Sequence, residues 1–492
     1  MSWPMLYQAH PRRLLAEFAT ECREAKGLGG VPSSWFANIK TMGFDWLYLL
    51  GAWQTGPRSR EVSLRHPIIS ADHASHLPDW TENDVCGSPF AIEAWVPHLD
   101  WGGLAGLFSF RENAARHGLK LMLDFVPNHV GLDNPWAANH PDWFFRCDAS
   151  SSTGKAEAAH PGGPFLKHGK DPYFPPWPDT FQLNLFHPAV RSAQQEVIAS
   201  IATLCDGVRC DMAMLPLPDV FLTTWGHESI DIPGVAADQS DYWPGIIKAA
   251  RDISPGFQFL AECYWDREWD LMCQGFDYCY DKRLYERLAH GDSHEVSGHL
   301  MAEPRFLYKC AHFLENHDED RSTEVFKERL NAAAVVTYLS PGLRFFHHGQ
   351  EHGFKLKDSV HLSRAADERR DPLTLAFYKR LLTVSSWAAN RPWKLLQPRQ
   401  AWEGNPSHGN LIAMQIGNGS QALLAVVNYS SAQSQGSLAL ESGDLKMVEH
   451  DLETGMASDW LMGNDSKKSI NFDLGPWKHR IIGPAGLFPA FG

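Results

Sequence analysis

Four apolar segments of the chain are each followed by acidic residues at their C-terminal end, and three of these segments also have a His or Arg beside the acid. The segments are LMLDFVPNHV, GVRCDMA, FQFLAECYW and FLENHD, and the acidic residues of interest are Asp124, Asp211, Glu262 and Asp318. Each apolar run has the composition of a buried strand, and the polar residues follow at its C-terminal end. Because parallel α/β barrels keep their catalytic residues at that end of the strands, the four segments predict one shared site.

The residue types predict that two of these acids differ in protonation. Arg209 lies two positions before Asp211, so both side chains project to the same side of a strand, and a charge-assisted bond would hold Asp211 ionised. Glu262 follows an apolar run, where desolvation and the negative charge of Asp211 would raise its proton affinity. One charged and one protonated acid suit nucleophilic attack combined with proton donation.

Strand-like runs alternate with helical runs over most of the chain, as expected of repeated βα units. The helical patterns include LFSFRENAARHG and SAQQEVIASIATL. Open doubly wound sheets alternate in the same way, whereas eight parallel strands can close a barrel. The predicted strands cover residues 3–8, 44–50, 119–126, 206–212, 257–263, 275–280, 313–316 and 343–347.

Two stretches interrupt this alternation and predict further domains. The segment 130–186 is rich in Pro, His, Gly and Asp and is too long for an ordinary connection, so we interpret it as an inserted subdomain at the barrel mouth. Short alternating runs after residue 391 predict a C-terminal antiparallel β domain over 392–492. The barrel itself is then formed by 1–129 and 187–391.

Composition limits the class of protein. The 492 residues are 44% hydrophobic, enough for a large core and a smaller module. A formal net charge of -14 and the lack of Lys/Arg runs argue against nucleic acid or an anionic membrane as the main partner. Flat rings can stack on sugar faces, and the chain has nineteen Trp and twelve Tyr, although core packing explains most of them.

The cysteine pattern and the lack of targeting signals predict a cytoplasmic protein. The N-terminal sequence MSWPMLYQAHPRRLL has no basic region followed by an apolar stretch, and no apolar run of about eighteen residues occurs. Nine cysteines form no CxxC pair, and Cys205, Cys210, Cys263 and Cys310 lie in or beside apolar strand segments. We interpret these as reduced, buried thiols.

Four motifs in a fixed order resemble the α-amylase family of glycoside hydrolases, glycoside hydrolase family 13. LDFVPNH, DGVRCDMA, LAECYW and ENHD are similar to its four conserved blocks, helped by GSPFAI, FQLNLFHPAVR and PGLRFFHHGQEHG. The resemblance covers roughly residues 3–390. It implies a (β/α)8 TIM barrel with an inserted subdomain after strand 3 and a C-terminal antiparallel β-sandwich domain, in agreement with the organisation predicted above.

The resemblance also implies roles for the acids in a retaining mechanism. Asp211 would be the nucleophile and Glu262 the acid/base, and retention requires their carboxyl groups to lie about 5 to 5.5 Å apart. Asp318 would bind sugar hydroxyls and favour the positively charged transition state electrostatically. Asp124 would support Arg209 and the floor of the site.

Two histidines and one aromatic residue complete the implied substrate site. The resemblance assigns His129 and His317 to hydroxyl contacts with the sugar in the cleaved position. Phe90 stands where many members have a Tyr that stacks beneath that sugar, so the ring is kept and the hydroxyl is lost. Met214 and Leu215 replace the Lys and His that contact the leaving-group sugar in typical amylases. The acceptor side must therefore be built differently, which argues against a standard starch-degrading amylase.

We predict no metal ion and no other cofactor. Asn128 contributes to a calcium site in some relatives, but the remaining ligands would lie in the variable insertion. Three histidines in FHHGQEHG, namely His347, His348 and His352, look metal-like, yet the flanking glycines do not support a helical ligand spacing.

The sequence therefore predicts a cytoplasmic retaining α-glycoside hydrolase acting on an α-glucan, a malto-oligosaccharide or a short α-glucoside. Its partner would be that α-linked substrate, with no nucleic acid and no membrane. A transglycosylase or phosphorylase-like enzyme is an open alternative, since these differ only in the acceptor. A non-catalytic carbohydrate-binding or scaffold protein on the same barrel is less consistent, because such proteins usually lose the acids that this chain keeps.

Overall fold

The computed structural model describes residues 3–148, 156–439, 447–460 and 469–484. Parts of two predicted domains lie outside these residues, namely 149–155 of the insertion and 440–446, 461–468 and 485–492 of the C-terminal domain.

Short strands make up the sheets of the described chain. They are β1 (Met5–Ala9), β2 (Trp46–Leu49), β3 (Trp53–Thr55), β4 (Ile92–Pro97), β5 (Lys120–Phe125), β6 (His129–Gly131), β7 (Arg146–Cys147), β8 (Ala156–Ala158), β9 (Phe165–Lys167), β10 (Thr180–Gln182), β11 (Gly207–Cys210), β12 (Gln258–Ala261), β13 (Tyr278–Tyr280), β14 (Cys310–His312), β15 (Leu343–His347), β16 (Trp393–Leu396), β17 (Arg399–Gln400), β18 (Leu411–Ile416), β19 (Leu423–Asn428), β20 (Ser434–Ala439), β21 (Met447–His450), β22 (Ala457–Trp460), β23 (Ser469–Leu474) and β24 (His479–Pro484).

Helices surround the barrel and fill several connections. They are α1 (Pro11–Glu17), α2 (Ala19–Glu24), α3 (Ser33–Thr41), α4 (Pro57–Arg65), α5 (Pro67–His76), α6 (Gly103–Arg116), α7 (Pro135–Asn139), α8 (Pro188–Leu204), α9 (Pro218–Trp225), α10 (Trp243–Ile253), α11 (Glu268–Gln274), α12 (Lys282–His290), α13 (Ser293–Leu300), α14 (Pro304–Leu307), α15 (Ser322–Phe326), α16 (Leu330–Leu339) and α17 (Pro372–Ala388).

Eight parallel strands form a closed barrel in the order β1-β15-β14-β13-β12-β11-β5-β2. The predicted (β/α)8 barrel is therefore confirmed. Its strands are buried along almost their whole length, which is why their sequences read as continuous apolar runs rather than as alternating ones. In the described residues no helix is long and apolar enough to cross a membrane.

The seventh barrel strand was predicted at the wrong place. The expected strand was 313–316, but β14 ends at His312. Phe313 and Leu314 remain buried, so the apolar run continues past the sheet. Beyond them the backbone turns, because the side chain of Asn316 accepts hydrogen bonds from the amides of Asp318 and Glu319 at 2.8 and 3.1 Å. An apolar pattern alone does not reveal that turn.

Two excursions rise above the C-terminal ends of the barrel strands. The predicted insertion after the third strand contains β6 paired with β10 and a three-stranded sheet β7-β9-β8. The connection after β2 also forms an inserted segment, which was not predicted. In it β3 and β4 pair, and α4 and α5 lie between them. Arg364, from the connection after β15, binds Asp84 of this excursion at 2.8 Å and closes its outer side.

The C-terminal region forms two antiparallel sheets, as predicted. One has six strands in the order β16-β18-β19-β24-β21-β22, and the other has three in the order β17-β20-β23. Buried side chains from both sheets share one core, including Leu424 and Val426 from the first and Ile470 and Phe472 from the second. Two sheets packed on a common apolar core are the arrangement of a β-sandwich.

All nine cysteines are free thiols. Cys205, Cys210, Cys263 and Cys310 are buried, as expected from their apolar segments. Burial raises the pKa of the Cys205 thiol to about 12. Thiols of this kind are unreactive and contribute mainly by packing.

Candidate active site

A fully buried arginine at the end of β11 is the centre of the acidic cluster. One terminal nitrogen of Arg209 lies 2.7 Å from Asp211 Oδ1, and the other lies 2.8 Å from Glu262 Oε1. The same guanidinium is 3.7 Å from Asp124 and 3.9 Å from Asp318. The structure therefore brings the four strand-end acids predicted from sequence around one cation.

Strand register explains why the arginine reaches these acids. In the parallel ladders Arg209 is the partner of Asp124 on β5 and of Leu260 on β12. Asp211 and Glu262 each follow two positions further along, after Arg209 and Leu260, and their amides still bond to the neighbouring strand, at 2.9 Å to Phe125 O and 3.0 Å to Cys210 O. Inward-facing positions on adjacent strands thus converge at the C-terminal edge of the barrel.

Asp124 is the most enclosed of the acids. Tyr48 donates a hydrogen bond of 2.5 Å to Oδ1, the amide of Gly51 donates to Oδ2, and the indole of Trp53 donates to its carbonyl at 2.7 Å. Burial raises the pKa of Asp124 to about 6, although Arg209 and these donors favour the charged form. Asp124 is 1% exposed, and its role in supporting Arg209 stays a prediction.

Glu262 sits where a protonated acid is favoured. It is 3% exposed, and burial, with the charges of Asp211 and Asp318, raises its pKa to about 8 despite the opposing effect of Arg209. The amide of Met212 donates to Oε2 at 2.6 Å, and the hydroxyl of Tyr264 lies 3.1 Å from Oε1. Asp211 lies 2.7 Å from Arg209 and is 5% exposed. Both acids therefore contact Arg209, and burial favours the protonated form of Glu262 despite that contact.

Asp318 is the accessible acid of the cluster, with 43% of its side chain exposed. Desolvation opposes its charge, but His317, Arg209 and Lys357 together lower its pKa. His317 Nε2 is 3.1 Å from Asp318 Oδ2. Burial lowers the pKa of His317 to about 4, so its ring is neutral near pH 7.

The remaining predicted substrate residues, Phe90 and His129, lie close to the acidic cluster or to the insertion. The ring of Phe90 lies 5.3 Å from the Arg209 guanidinium and 5.5 Å from the His317 ring. His129 packs 5.1 Å from the ring of Trp177, and burial lowers its pKa while the nearby charge of Asp211 raises it. Its Nδ1 is buried and has no hydrogen-bond partner among the residues that the structure describes.

A cavity of about 600 Å³ opens beside Glu262 and Asp318. Aromatic residues of two loops form one wall, with Trp177 and Phe174 from the insertion and Tyr264 and Trp265 from the connection after β12. The rings of Tyr173 and Trp265 meet edge to face at 4.9 Å. The lining residues are Asp171, Phe174, Trp177, Met212, Glu262, Tyr264, Trp265, Asp266, Glu268, Lys282, Arg283, Glu286 and Asp318.

Backbone strain is concentrated directly after the two central acids. Met212, Trp265 and Asp266 have φ of 42°, 63° and 58°, in the left-handed region that L-residues rarely adopt. Such conformations cost of order 1 kcal/mol or more each and persist only where the surroundings enforce them. Asp266 is held by Arg283, whose Nε lies 3.0 Å from Oδ1. Met212 and Trp265, which have this backbone conformation, both line the cavity.

The two substitutions expected to reshape the acceptor side lie elsewhere. Met214 and Leu215 are 0% and 2% exposed and pack in the core, so neither faces the cavity. Met212, which the sequence analysis did not single out, takes the position beside Glu262. Distinguishing these positions by sequence alone was impossible, because the turn after Asp211 follows no strand or helix period.

Several contacts of the site were not predicted. Tyr48, Gly51 and Trp53 anchor Asp124, and their only sequence signal is their place in the second strand and its loop. Asn128, considered as a calcium ligand in relatives, instead exchanges amide hydrogen bonds with Gln182 at 3.0 Å.

The three histidines of FHHGQEHG face separate partners. His347 Nδ1 is 2.7 Å from Gln8 Oε1, His348 Nε2 is 3.6 Å from Glu17, and His352 Nε2 is 3.8 Å from Glu351. Across residues 3–148, 156–439, 447–460 and 469–484, no group of three or more His, Cys, Asp or Glu is arranged to hold a metal ion.

The architecture and the place of the acids define a (β/α)8 barrel, a class whose active sites lie at this edge of the strands. No model of a known protein family matches the chain. The α-amylase MalA of Haloarcula japonica is 26% identical over 305 residues, covering 58% of this chain and 38% of that protein. The α-1,4-glucan:maltose-1-phosphate maltosyltransferase 2 of Streptomyces coelicolor is 34% identical over 106 residues, covering 22% and 15%. The chain thus spans well under two thirds of the length of either relative.

Solved structures match over nearly the whole chain. The noncanonic maltogenic α-amylase AmyB from Thermotoga neapolitana is 16% identical with a TM-score of 0.66, over 97% of this chain and 98% of that one. An α-amylase from Lactobacillus plantarum is 20% identical with a TM-score of 0.63, over 96% and 98%. At these identities the likeness establishes the fold. Together with the sequence match it confirms the resemblance to the α-amylase family of glycoside hydrolases.

Proposed function

We propose that the chain is a retaining α-glycoside hydrolase that cleaves an α-glucan, a malto-oligosaccharide or a short α-glucoside. The observation that carries this proposal is that Arg209 contacts both Asp211 and Glu262, each through a different nitrogen. Burial, with the charges of Asp211 and Asp318, raises the pKa of Glu262 to about 8 despite its contact with Arg209. A charged nucleophile and a protonated acid are what double displacement requires.

The proposed reaction has two steps. Asp211 attacks the anomeric carbon while Glu262 gives its proton to the leaving oxygen, so the glycosidic bond breaks and a glycosyl ester forms. Glu262, now ionised, then takes a proton from water, whose oxygen attacks the anomeric carbon and frees Asp211. Asp318 and His317 lie at the exposed end of the cluster, where contacts with sugar hydroxyls would favour the transition state.

The charge of the cavity favours a neutral acceptor over phosphate. Its lining contains six carboxyl groups, those of Asp171, Glu262, Asp266, Glu268, Glu286 and Asp318. Without Glu262 and Glu268, whose pKa values burial raises to about 8 and about 7, four still face only Lys282 and Arg283. Both cations are already paired, with Glu319 and Asp266. An anion entering such a cavity meets a negative potential. This supports hydrolysis over a phosphorylase-like reaction, although the Streptomyces relative is named for maltose-1-phosphate.

The aromatic wall favours one second candidate, transglycosylation. Flat rings beside the acid, at Tyr264, Trp265 and Phe174, are suited to stacking on a sugar acceptor as well as on a leaving group. Solved structures of similar fold include an α-amylase from Geobacillus thermoleovorans complexed with acarbose. We propose that the cavity of this chain likewise binds an α-linked oligosaccharide, with its aromatic residues stacking on the sugar rings.

Product analysis tests the proposal directly. Purified protein is incubated with α-linked disaccharides, malto-oligosaccharides, sucrose and glucose-1-phosphate, and the products are followed by chromatography and by NMR of the anomeric protons. We expect an α-anomer as the first product from a neutral α-glucoside, no turnover of glucose-1-phosphate, and no activity in Asp211→Asn. A β-anomer as the first product, or full activity of folded Asp211→Asn, would overturn the mechanism. Longer products would favour transglycosylation.

A further inference from the structure

We propose that Gln8 is a positioning residue that fixes the tautomer of His317, and that His347 orients Gln8 for this task. The inference deepens the proposed function and rests on it, because His317 belongs to the substrate site. Gln8 lies on β1, the strand next to β15, and the two strands pair Gln8 with His347. Its side chain is fully buried and faces the barrel interior.

Three contacts connect the barrel interior to the exposed acid. His347 Nδ1 lies 2.7 Å from Gln8 Oε1, and Gln8 Nε2 lies 2.9 Å from His317 Nδ1. The other nitrogen of that imidazole, His317 Nε2, is 3.1 Å from Asp318 Oδ2. The chain of contacts therefore runs from β15 through β1 to the loop after β14.

The carboxylate at one end sets the direction of every proton. His317 Nε2 has no hydrogen-bond partner among the described residues, but it lies 3.1 Å from Asp318 Oδ2, and a negative carboxylate at that distance favours a proton on the nitrogen that faces it. Burial lowers the pKa of His317 to about 4, which leaves a single ring proton near pH 7. Nδ1 is then an acceptor, and only the amide group of Gln8 can donate to it.

His347 fixes which end of the Gln8 side-chain amide faces His317. With the NH2 group of Gln8 directed at His317, its Oε1 must accept a proton from His347 Nδ1. Burial lowers the pKa of His347 well below its usual value, so this ring is also neutral and its proton is committed to Nδ1. The order is thus His347 to Gln8 to His317, each group donating to the next, and the remaining ring proton of His317 lies on Nε2, which faces Asp318 Oδ2 at 3.1 Å without a hydrogen-bond partner among the described residues.

The tautomer matters because it decides what His317 offers to a ligand. With the proton on Nε2, the ring presents a donor beside Asp318, suited to a sugar hydroxyl oxygen. With the proton on Nδ1, a lone pair would face the Asp318 carboxylate and repel it. Loss of a buried partner that orients a functional histidine typically costs about 10-fold to 100-fold in function in metal sites, where the same logic has been measured.

Gln8→Met tests the proposal, since it keeps the length of the side chain and removes both hydrogen-bonding groups. We expect kcat on an α-glucoside to fall about 10-fold or more, with KM changed less than about 3-fold. In protein labelled with ¹⁵N-histidine, the His317 signals, assigned by their loss in His317→Asn, should report a proton on Nε2 in the wild type. In Gln8→Met they should report a mixture of tautomers.

Variants of His347 give a second, graded test. His347→Asn keeps an N–H that can reach Gln8 Oε1, whereas His347→Leu does not, so the Asn variant should retain more activity and a larger fraction of the Nε2 tautomer. Gln194→Met is the matched control, because Gln194 is a buried amide that bonds Pro127 O and Tyr242 and none of the three residues. It should leave the His317 tautomer unchanged.

The outcomes separate this inference from the proposed function. A proton on Nδ1 of His317 in the wild type, or an unchanged tautomer in both Gln8→Met and His347→Leu, would overturn the role of Gln8 whatever the activity. Absence of wild-type turnover on every α-glucoside would overturn the proposed function, while the tautomer measurement would still decide the structural role. If Gln8→Met does not fold, the two His347 variants supply the same readouts.

Discussion

At the scale of single residues, the site depends on acids that differ because their surroundings differ. Asp211 and Glu262 both contact Arg209, yet burial and the neighbouring negative charges raise the pKa of Glu262 to about 8. Sequence spacing was enough to predict the Arg209 and Asp211 pair, since residues two apart on a strand share a face. The raised proton affinity of Glu262 was also predicted, because an apolar run precedes it.

The pH dependence of activity follows from Glu262. An acid with a pKa raised to about 8 keeps its proton at neutral pH and loses it above that value. We expect kcat/KM for a natural α-glucoside to fall as pH rises through about 8. An aryl α-glucoside with a good leaving group should show a weaker fall in kcat, because it needs less protonation. Activity that stays constant up to pH 10 would contradict the assignment of Glu262 as the acid.

Glu262→Gln should stabilise the folded protein in a pH-dependent way. The carboxyl titrates at about 8 when folded, against 4.5 as its ordinary value, so between these values the folded state binds more protons. The free energy of unfolding of the wild type therefore falls as pH rises through this window. At pH 8 the variant should be more stable by at least about 1 kcal/mol, and near pH 4 the gain should vanish.

Urea unfolding at pH 4.5 and pH 8 measures this difference. Glu112→Gln is a suitable control, because Glu112 is an exposed residue of α6 whose carboxylate pairs with Arg116 on the surface. Its effect should be small at both pH values. An equal gain for Glu262→Gln at both pH values would show that burial does not control the ionisation of Glu262.

At the scale of elements, the loops above the barrel line the cavity beside Glu262 and Asp318. Most barrel strands were predicted from their apolar runs, because a strand buried on both faces needs continuous apolar sequence. The excursion containing α4 and α5 was missed, since nothing in its sequence distinguishes it from an ordinary helical connection. The strained turn at Trp265 and Asp266 was missed as well, because neither residue is a glycine that would mark a left-handed backbone.

Trp265→Ala tests the acceptor wall. Removing the ring takes away its contact with Tyr173 and the flat surface beside Glu262. We expect KM for malto-oligosaccharides to rise about 3-fold to 10-fold, an effect of roughly 1 kcal/mol for an aromatic contact. Turnover of a small aryl α-glucoside should change little, and Trp402→Ala in the C-terminal domain serves as an exposed-ring control. Equal losses on both substrates would argue for a general distortion of the site.

At the scale of the whole molecule, the β-sandwich packs against the barrel at a distance from the acids. The hydroxyl of Tyr429, which follows β19, donates a hydrogen bond to the carbonyl of Leu288 in α12. The guanidinium of Arg329 lies 4.6 Å from the ring of Trp477 across the same boundary. These contacts indicate that the sandwich supports the barrel.

Tyr429→Phe should therefore affect stability without affecting catalysis. The substitution keeps the ring and leaves the Leu288 carbonyl without its partner, a loss of about 1 kcal/mol in the free energy of unfolding. We expect a lower urea midpoint and a shorter half-life of activity on heating, with kcat and KM at 25 °C unchanged. A reduced kcat with unchanged stability would show that the sandwich influences the site.

The sequence alone indicated alternating strands and helices with acids at the strand ends, because strand burial and side-chain alternation are local rules that leave a local pattern, and the resemblance to the α-amylase family implied the barrel. It also indicated the β-sandwich through short alternating runs. Only the tertiary structure decided that Met212 rather than Met214 or Leu215 faces the cavity, that Trp265 is held in a strained turn, and that Gln8 and His347 meet His317. These contacts join residues more than three hundred positions apart or depend on irregular turns, and no local period encodes either.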